Sequence, residues 1–184
     1  MIQRTPFCRV GPMLAATLLF CACFSRAQQA APEYQFKAAY LYHFTQFTDW
    51  PAQAFSNPTS PFVVAVLGEN PFGDELAQAF RGKAINGHPA TIRPMHSAAE
   101  AATNCHLLFI SASEKKALPE ILSALRDSSV LTVGDTDTFT EAGGMIKFVW
   151  LDKKLQFQIN IEAAKNAGLI IRAKLLNLAL KPNP

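Results

Sequence analysis

Three short, mostly apolar runs constrain the fold of this chain more than any other feature. They are FVVAVLG at 62–68, LLFIS at 107–111 and VLTVG at 130–134. Runs this short, rich in β-branched or leucine side chains, are typical of strands that are buried on both faces. Because such strands need helices on both faces of their sheet, the sequence predicts an α/β fold with a largely parallel sheet.

Helical patterns and stop signals separate these runs. The predicted helices are Glu33–Asp49, Phe72–Phe80, Ser97–Ala102, Glu114–Arg126, a segment that begins at the N-cap Asn160, and Arg172–Leu180 beyond a break at Gly168. Further strands are predicted at Pro89–Pro94, Met145–Leu151 and Leu155–Ile161, and the last two form a hairpin. The fold class is therefore a single-domain α/β sandwich, with a largely parallel sheet, an antiparallel edge hairpin and helices on both faces.

Residues 1–27 have the pattern of a secretory signal peptide. Arg4 and Arg9 precede the apolar run MLAATLLFCACF, which is shorter than the ~20 residues of a membrane-spanning helix. Cleavage is expected after Ala27, which leaves residues 28–184 as one domain. The alternatives are a lipoprotein signal, with Cys21 or Cys23 as the lipid site, and an uncleaved anchor.

Charge excludes one class of function. The chain has 17 basic and 14 acidic residues, and the predicted signal peptide contains three arginines and no acid. The exported protein is therefore neutral, without the basic surface that a nucleic-acid partner requires.

Cysteine usage excludes an internal disulfide in the exported protein. Three of the four cysteines lie in the signal peptide, and Cys105 remains alone. Cys105 precedes the apolar run HLLFI, so we expect a buried strand residue. The functional alternative is a reactive or intermolecular thiol.

The segment YQFKAAYLYHFTQFTDWP at 34–51 concentrates aromatic residues on one helix. At 100° per residue, one broad arc is predicted to be the core face, with His43 as a core histidine. The residues of this arc are Phe36, Ala39, Tyr40, His43, Phe44, Phe47 and Trp50. Tyr34, Leu41 and Tyr42 lie off the arc and are candidates for covering a groove or a partner.

Catalytic motifs are not found in this sequence. The four histidines lack metal-binding spacing, and no G-x-S-x-G surrounds Ser111 or Ser113. The loop GENPFG at 68–73 follows a strand but lacks the dinucleotide-binding pattern. Asp135, Asp137 and Glu141 are either metal ligands or turn caps, of which caps are the simpler interpretation. The sequence predicts neither an enzyme nor a cofactor.

Five blocks in order resemble the YfiR/HmsC-like family of small periplasmic proteins. They are YQFKAAYLYHFTQFTDWP, PFVVAVLGENPFGDEL, CHLLFIS, VLTVGDTDTFTEAGGMIKFV and LQFQINIEAAKNAGLIIRAKLLNLA. The resemblance implies a periplasmic repressor that binds the periplasmic domain of a membrane-bound diguanylate cyclase, which lowers cyclic-di-GMP signalling and biofilm formation. It also implies that an outer-membrane, peptidoglycan-binding lipoprotein can sequester the repressor. Some members have paired cysteines, and this chain departs from that feature.

Apolar residues near the C-terminus are the candidate contact site for the cyclase or for a homodimer. The predicted contact residues are Phe139, Phe148, Phe157, Ile159, Leu169, Ile170 and Ile171. The alternative function is a periplasmic small-molecule sensor, with its ligand at the carboxyl ends of the strands. The candidate pocket residues are Tyr42, Gly68, Ser111 and Gly134.

Overall fold

The computed structural model describes residues 33–181 of the chain. The predicted signal peptide, with its lipoprotein and anchor alternatives, lies outside these residues. The chain from Tyr34 onward forms one compact unit. Within the described part, no helix combines the length and the apolar character that crossing a bilayer requires.

Helices and strands alternate along the described residues, as the sequence predicts. The helices are α1 (33–46), α2 (Glu75–Phe80), α3 (Ala98–Asn104), α4 (Leu118–Leu125), α5 (Ile161–Asn166) and α6 (Ala173–Leu176). The strands are β1 (Thr48–Asp49), β2 (Phe62–Leu67), β3 (Ala84–Ile85), β4 (His88–Met95), β5 (Leu107–Ile110), β6 (Leu131–Gly134), β7 (Ile146–Leu151), β8 (Lys154–Ile159) and β9 (Ile170–Ile171).

The main sheet has the strand order β3-β4-β2-β5-β6-β7-β8. Strands β4, β2, β5, β6 and β7 are parallel to one another, and β8 pairs with β7 as an antiparallel edge hairpin. This confirms the predicted fold class. The two-residue strand β3 pairs antiparallel with β4 at the other edge, and β1 pairs with β9 in a separate ribbon. Strands of two residues carry no periodic signal, so neither β3 nor the ribbon is predicted.

Both faces of the sheet carry a hydrophobic core, because alternate residues of the parallel strands point to opposite sides. On β2, Phe62 and Val64 pack with α1, α2 and α5, while Val63 and Ala65 pack with α3 and α4. The two layers of helices are therefore those that the buried strand runs predict.

The buried face of α1 differs from the face that its aromatic spacing predicts. Ala38 and Leu41, which are not members of the predicted arc, are buried, and so are Phe44 and Trp50, which are. Phe36 and His43, two members of the predicted arc, are exposed. The prediction of a core histidine at position 43 is therefore wrong.

Two polar residues, both outside the predicted arc, explain the orientation of α1. Lys37 is buried because its Nζ donates to Oδ2 of Asp135 at 2.6 Å. Thr45 is buried because its hydroxyl donates to the carbonyl of Tyr42, one turn earlier in the same helix, at 2.7 Å. Satisfied polar groups can be buried without a large desolvation cost, so this face packs on the sheet, and Phe36, Ala39 and His43 of the predicted arc are exposed.

Both predicted helices at the ends of the fold are shorter in the structure. α1 ends at residue 46, and Thr48 and Asp49 leave it to pair with β9. At the other end, Gly168 adopts φ +73° and ends the segment that Asn160 caps through a hydrogen bond from the amide of Ala163. The restart after Gly168 is a short strand followed by α6, because the ribbon with β1 holds residues 170–171 extended.

Candidate functional site

An aromatic stripe along α1 and the residue after its end is partly exposed to solvent. Phe36, Tyr40, His43 and Phe47 recur at the spacing of one helix face. Phe36 is 58% exposed and His43 is exposed, while Tyr40 and Phe47 are half-buried. This stripe leaves apolar ring surface in solvent.

The C-terminal segment extends this stripe past the end of α1. Ile170 pairs with Asp49 in the ribbon, and the amide of Arg172 donates to the carbonyl of Phe47 at 2.9 Å. Lys174 Nζ lies 5.2 Å from the centre of the Phe47 ring. Ile170 and Leu178, both in the C-terminal segment, are each 66% exposed. The outer apolar surface is defined here as Phe36, Tyr40, His43, Phe47, Ile170 and Leu178.

One ion pair borders this surface at the ribbon. The guanidinium of Arg172 donates to both carboxylate oxygens of Asp49, at 3.0 and 2.5 Å. This hydrogen bonding holds the pKa of Asp49 below its ordinary value. Exposed apolar side chains beside a charged pair have the composition of a protein contact site, in which apolar anchors are surrounded by a polar rim.

The structure corrects four of the seven predicted contact residues. Phe139, Phe148, Phe157 and Leu169 are buried in the core, so they are not available at the surface. Phe148 and Phe157 face each other across the hairpin and pack against the rings of Tyr40 and Phe44.

The three other predicted contact residues have accessible side chains. Ile159 and Ile171 are half-buried, and Ile170 is exposed. Sequence reasoning missed Phe36 as a surface residue, because its spacing places it on the arc that was expected to pack. The buried face could not be recognised from apolar periodicity, because it contains the polar residues Lys37 and Thr45.

The four candidate pocket residues do not line a common cavity. Gly68 borders a cleft of about 310 Å³ between the ends of β2 and β4 and α2. Ser111 is buried, and the ring of Phe139 covers Gly134 so closely that a Cβ there would overlap it. Tyr42 packs edge-to-face on Phe80, with 5.7 Å between ring centres.

The acidic residues after β6 serve in lysine contacts. Asp135 accepts from Lys37, and Glu141 accepts from Lys147 at 3.3 Å. Lys147 Nζ also donates to the backbone carbonyl of Asp137 at 2.6 Å. The backbone amide of Glu141 itself and the nearby ammonium of Lys147 hold the pKa of Glu141 below its ordinary value. Across residues 33–181, no group of three or more His, Cys, Asp or Glu side chains is arranged to hold a metal ion.

The fold and the outer apolar surface define a small α/β protein with a candidate contact face. The chain belongs to the YfiR/HmsC-like family, because the model of that family matches residues 34–180. This is a family of periplasmic regulators of diguanylate cyclase signalling, and it is regulatory rather than catalytic.

Two solved structures are similar to part of this chain. The chain is similar to a conserved domain protein from Vibrio cholerae O1 biovar eltor, at 12% identity and a TM-score of 0.48. It is also similar to the ABC domain in complex with L-Trp from Streptococcus pneumonia, at 14% identity and a TM-score of 0.44. Each alignment covers 64% of this chain and 53% or 54% of the other, so the chain spans about half the length of these two proteins. A comparison with curated proteins gave no match.

Proposed function

We propose that residues 28–184 form a periplasmic repressor that binds the periplasmic sensor domain of an inner-membrane diguanylate cyclase. Residues 1–27 act as the signal peptide that directs export. Repression lowers cyclic-di-GMP synthesis and thereby biofilm formation. The observation that carries this proposal is the family match over residues 34–180. No catalytic step is part of it.

The outer apolar surface is the proposed contact with the cyclase. The free energy of the system falls when a partner covers apolar side chains that were in solvent. A few such anchors supply most of the binding energy of an interface. Phe36, Ile170 and Leu178 are the most exposed anchors of this surface. Ile159 and Ile171 stay in the proposal as half-buried contact residues.

Binding to membranes that contain the cyclase tests this proposal. Tagged protein is incubated with detergent-solubilised membranes, and the bound cyclase is quantified by mass spectrometry. We expect Ile170→Asp and Leu178→Asp each to weaken binding by about 30-fold, the effect of losing an anchor worth about 2 kcal/mol.

A matched control keeps this test specific. Trp150 is also half exposed but lies on the hairpin strand β7. Trp150→Asp adds the same charge outside the outer apolar surface, so we expect it to bind the cyclase as the wild type does. Circular dichroism verifies that each variant is folded. Wild-type affinity in folded Ile170→Asp and Leu178→Asp would refute the proposed contact.

The same surface is proposed to bind an outer-membrane, peptidoglycan-binding lipoprotein. If the two partners share it, adding the purified lipoprotein should displace the cyclase in the binding assay. A homodimer through this surface is a related proposal, and sedimentation of wild-type and Ile170→Asp protein tests it. Equal sedimentation of the two at all concentrations would argue against a dimer at this face.

Small-molecule sensing is the second candidate function, and the cleft beside Gly68 is the observation that favours it. Val66, Ile92 and Met95 supply apolar lining, and Arg93 also lines the cleft. A thermal-shift screen of metabolites tests this candidate. Ala77 also lines the cleft, so Ala77→Trp should fill it and abolish any shift. A shift that persists in this variant would place the ligand elsewhere.

A further inference from the structure

We propose that the loop of residues 51–61 is an acid-sensitive latch, held on the sheet by neutral His106 and released when that imidazole is protonated. The loop joins the ribbon strand β1 to β2 and lies at the amino-terminal ends of the parallel strands. This regulatory device goes beyond the proposed repressor function and does not depend on the identity of the partner.

A cluster of stacked rings attaches the loop to the sheet. Phe55 of the loop lies between two histidines, with its ring centre 3.8 Å from that of His88 and 4.6 Å from that of His106. Phe62 of β2 also stacks on His106, at 4.9 Å, and lies 6.5 Å from Phe55. The neighbouring planes are inclined by 7°, 19° and 27°, so the rings are stacked.

Both ring nitrogens of His106 have partners that define its neutral form. Nδ1 accepts from the backbone amide of Val63 at 3.0 Å. Nε2 lies 3.0 Å from the carbonyl of Ala54 in the loop. An amide can only donate and a carbonyl can only accept, so the proton of the neutral imidazole is on Nε2. His106 therefore connects the loop to β2 only while Nδ1 is unprotonated.

Protonation removes one of these two bonds. A proton on Nδ1 would face the amide hydrogen of Val63, and the buried amide would lose its acceptor. Burial first, and then the nearby His88, hold the pKa of His106 below its ordinary value of 6.5. The folded loop thus favours the uncharged ring.

Among residues 33–181, the groups that act on the charge of His106 include no carboxylate that would stabilise a charged ring. His88 from β4 is the titratable neighbour across Phe55, and its Nδ1 donates to the loop carbonyl of Ser60 at 2.7 Å. Cys105 precedes His106, and burial raises the pKa of its thiol to about 12, so it is uncharged. The contacts from the loop and from β2, which are Ala54, Phe55, Phe62 and Val63, have uncharged side chains. A protonated His88 would repel a protonated His106 and favour release further.

Trp50 provides an optical probe of the latch. Its Nε1 donates to the carbonyl of His106 at 3.2 Å, and its ring packs on Phe62 at 4.8 Å. Trp150, the other tryptophan of the chain, is half exposed. In a Trp150→Phe background, quenching of the remaining fluorescence by neutral acrylamide therefore reports on the surroundings of Trp50.

The experiment measures acrylamide quenching of this single-tryptophan protein against pH, with far-ultraviolet circular dichroism recorded in parallel. We expect quenching to rise several-fold as the pH falls below 6.5, while the secondary structure persists. Quenching that stays constant until the whole protein unfolds would overturn the proposal.

Two variants show whether His106 is the titrating group. His106→Asn keeps an acceptor for the Val63 amide but cannot be protonated, so we expect it to lose the acid step. His43→Asn alters an exposed histidine and should retain the step. The same acid step in His106→Asn would overturn the assignment.

A measurement on the wild type keeps the proposal testable if His106→Asn does not fold. Nuclear magnetic resonance follows the ring protons of His106 and the amide of Val63 during the titration. We expect the two signals to change together, at a pH below 6.5. Titration of His106 at or above the ordinary value, or a Val63 amide that does not respond, would refute the latch.

Discussion

Lys37 shows how one ionic contact orients a helix. Its Nζ lies 2.6 Å from Asp135 Oδ2, and the Tyr34 hydroxyl donates to the same oxygen at 3.1 Å. The other carboxylate oxygen, Oδ1, is buried and has no hydrogen-bond partner. A carboxylate in this position depends strongly on the lysine, because removing one member of a buried pair leaves an uncompensated charge.

We predict that Lys37→Met lowers the free energy of unfolding by about 3–5 kcal/mol, the usual cost of breaking a buried ion pair. The double variant Lys37→Met/Asp135→Leu should recover much of this loss, because it leaves no unpaired charge. Urea unfolding at neutral pH measures both. Lys165→Met is the control, since its pair with Glu162 is exposed and is worth at most about 1 kcal/mol. Equal losses in Lys37→Met and Lys165→Met would contradict the prediction.

Cys105 is predicted to be chemically inert in the folded protein. The thiol donates to the carbonyl of Leu107 at 3.0 Å, and burial raises its pKa to about 12. Because the thiolate is the reactive form, alkylation at about pH 8 should be much slower in the native protein than in urea. Mass spectrometry of the peptide that contains Cys105 measures both rates. Equal rates would instead support the alternative of a reactive thiol.

At the scale of elements, helix periodicity was a poor guide to which side of α1 is buried. Aromatic residues occupy so much of its circumference that two different faces are apolar enough to pack. The choice between them depends on Asp135, which is distant in sequence and accepts from Lys37. No pattern within the helix contains that information.

Two substitutions on α1 distinguish its two faces. Leu41 is fully buried, so Leu41→Ala should lower the free energy of unfolding by about 2–5 kcal/mol through lost contacts and a cavity. Phe36 is mostly in solvent, so Phe36→Ala should change it by no more than about 0.5 kcal/mol. Chemical denaturation compares the variants directly. A larger loss of stability in Phe36→Ala than in Leu41→Ala would instead support the buried face that the sequence predicts.

The strands were predictable because their signals are local. The runs around Val64, Leu108 and Val133 lie in adjacent parallel strands, and the N-cap Asn160 starts α5 as expected. Burial of the predicted contact residues Phe148 and Phe157 was not predictable, since it follows from rings on α1 that pack over the hairpin. Local sequence thus specifies the strands better than it specifies which apolar residues remain outside.

At the scale of the whole molecule, side chains fill much of the carboxyl edge of the sheet. α/β proteins commonly bind ligands at this edge. Here the ring of Phe139 lies against both Gly134 and Gly144, and the hydroxyl of Ser113 accepts from the amide of Glu69 at 2.9 Å beside Gly68. Of the four candidate pocket residues, Gly68 lines the cleft beside α2. Much of the predicted ligand site is therefore occupied by side chains.

Two groups, His106 and Asp49, should make the stability of the fold depend on pH. The pKa of His106 is lower in the folded state than its ordinary 6.5, so its stabilising bonds are fully present above pH 6.5 and are lost as the pH falls through the folded pKa. The hydrogen bonds from Arg172 lower the pKa of Asp49 from 3.8, so the stabilisation by that pair is present above 3.8 and is lost below it.

We therefore predict that the free energy of unfolding falls in two steps as the solution is acidified. Urea unfolding at a series of pH values measures it for the wild type, His106→Asn and Arg172→Gln. His106→Asn should lack the first step and keep the second, because Asn cannot be protonated in this range. Arg172→Gln should keep the first step and show a smaller second one, because its neutral amide no longer stabilises the Asp49 carboxylate. If both variants follow the wild-type curve, neither group links folding to pH, and other carboxylates must supply the acid sensitivity of the protein.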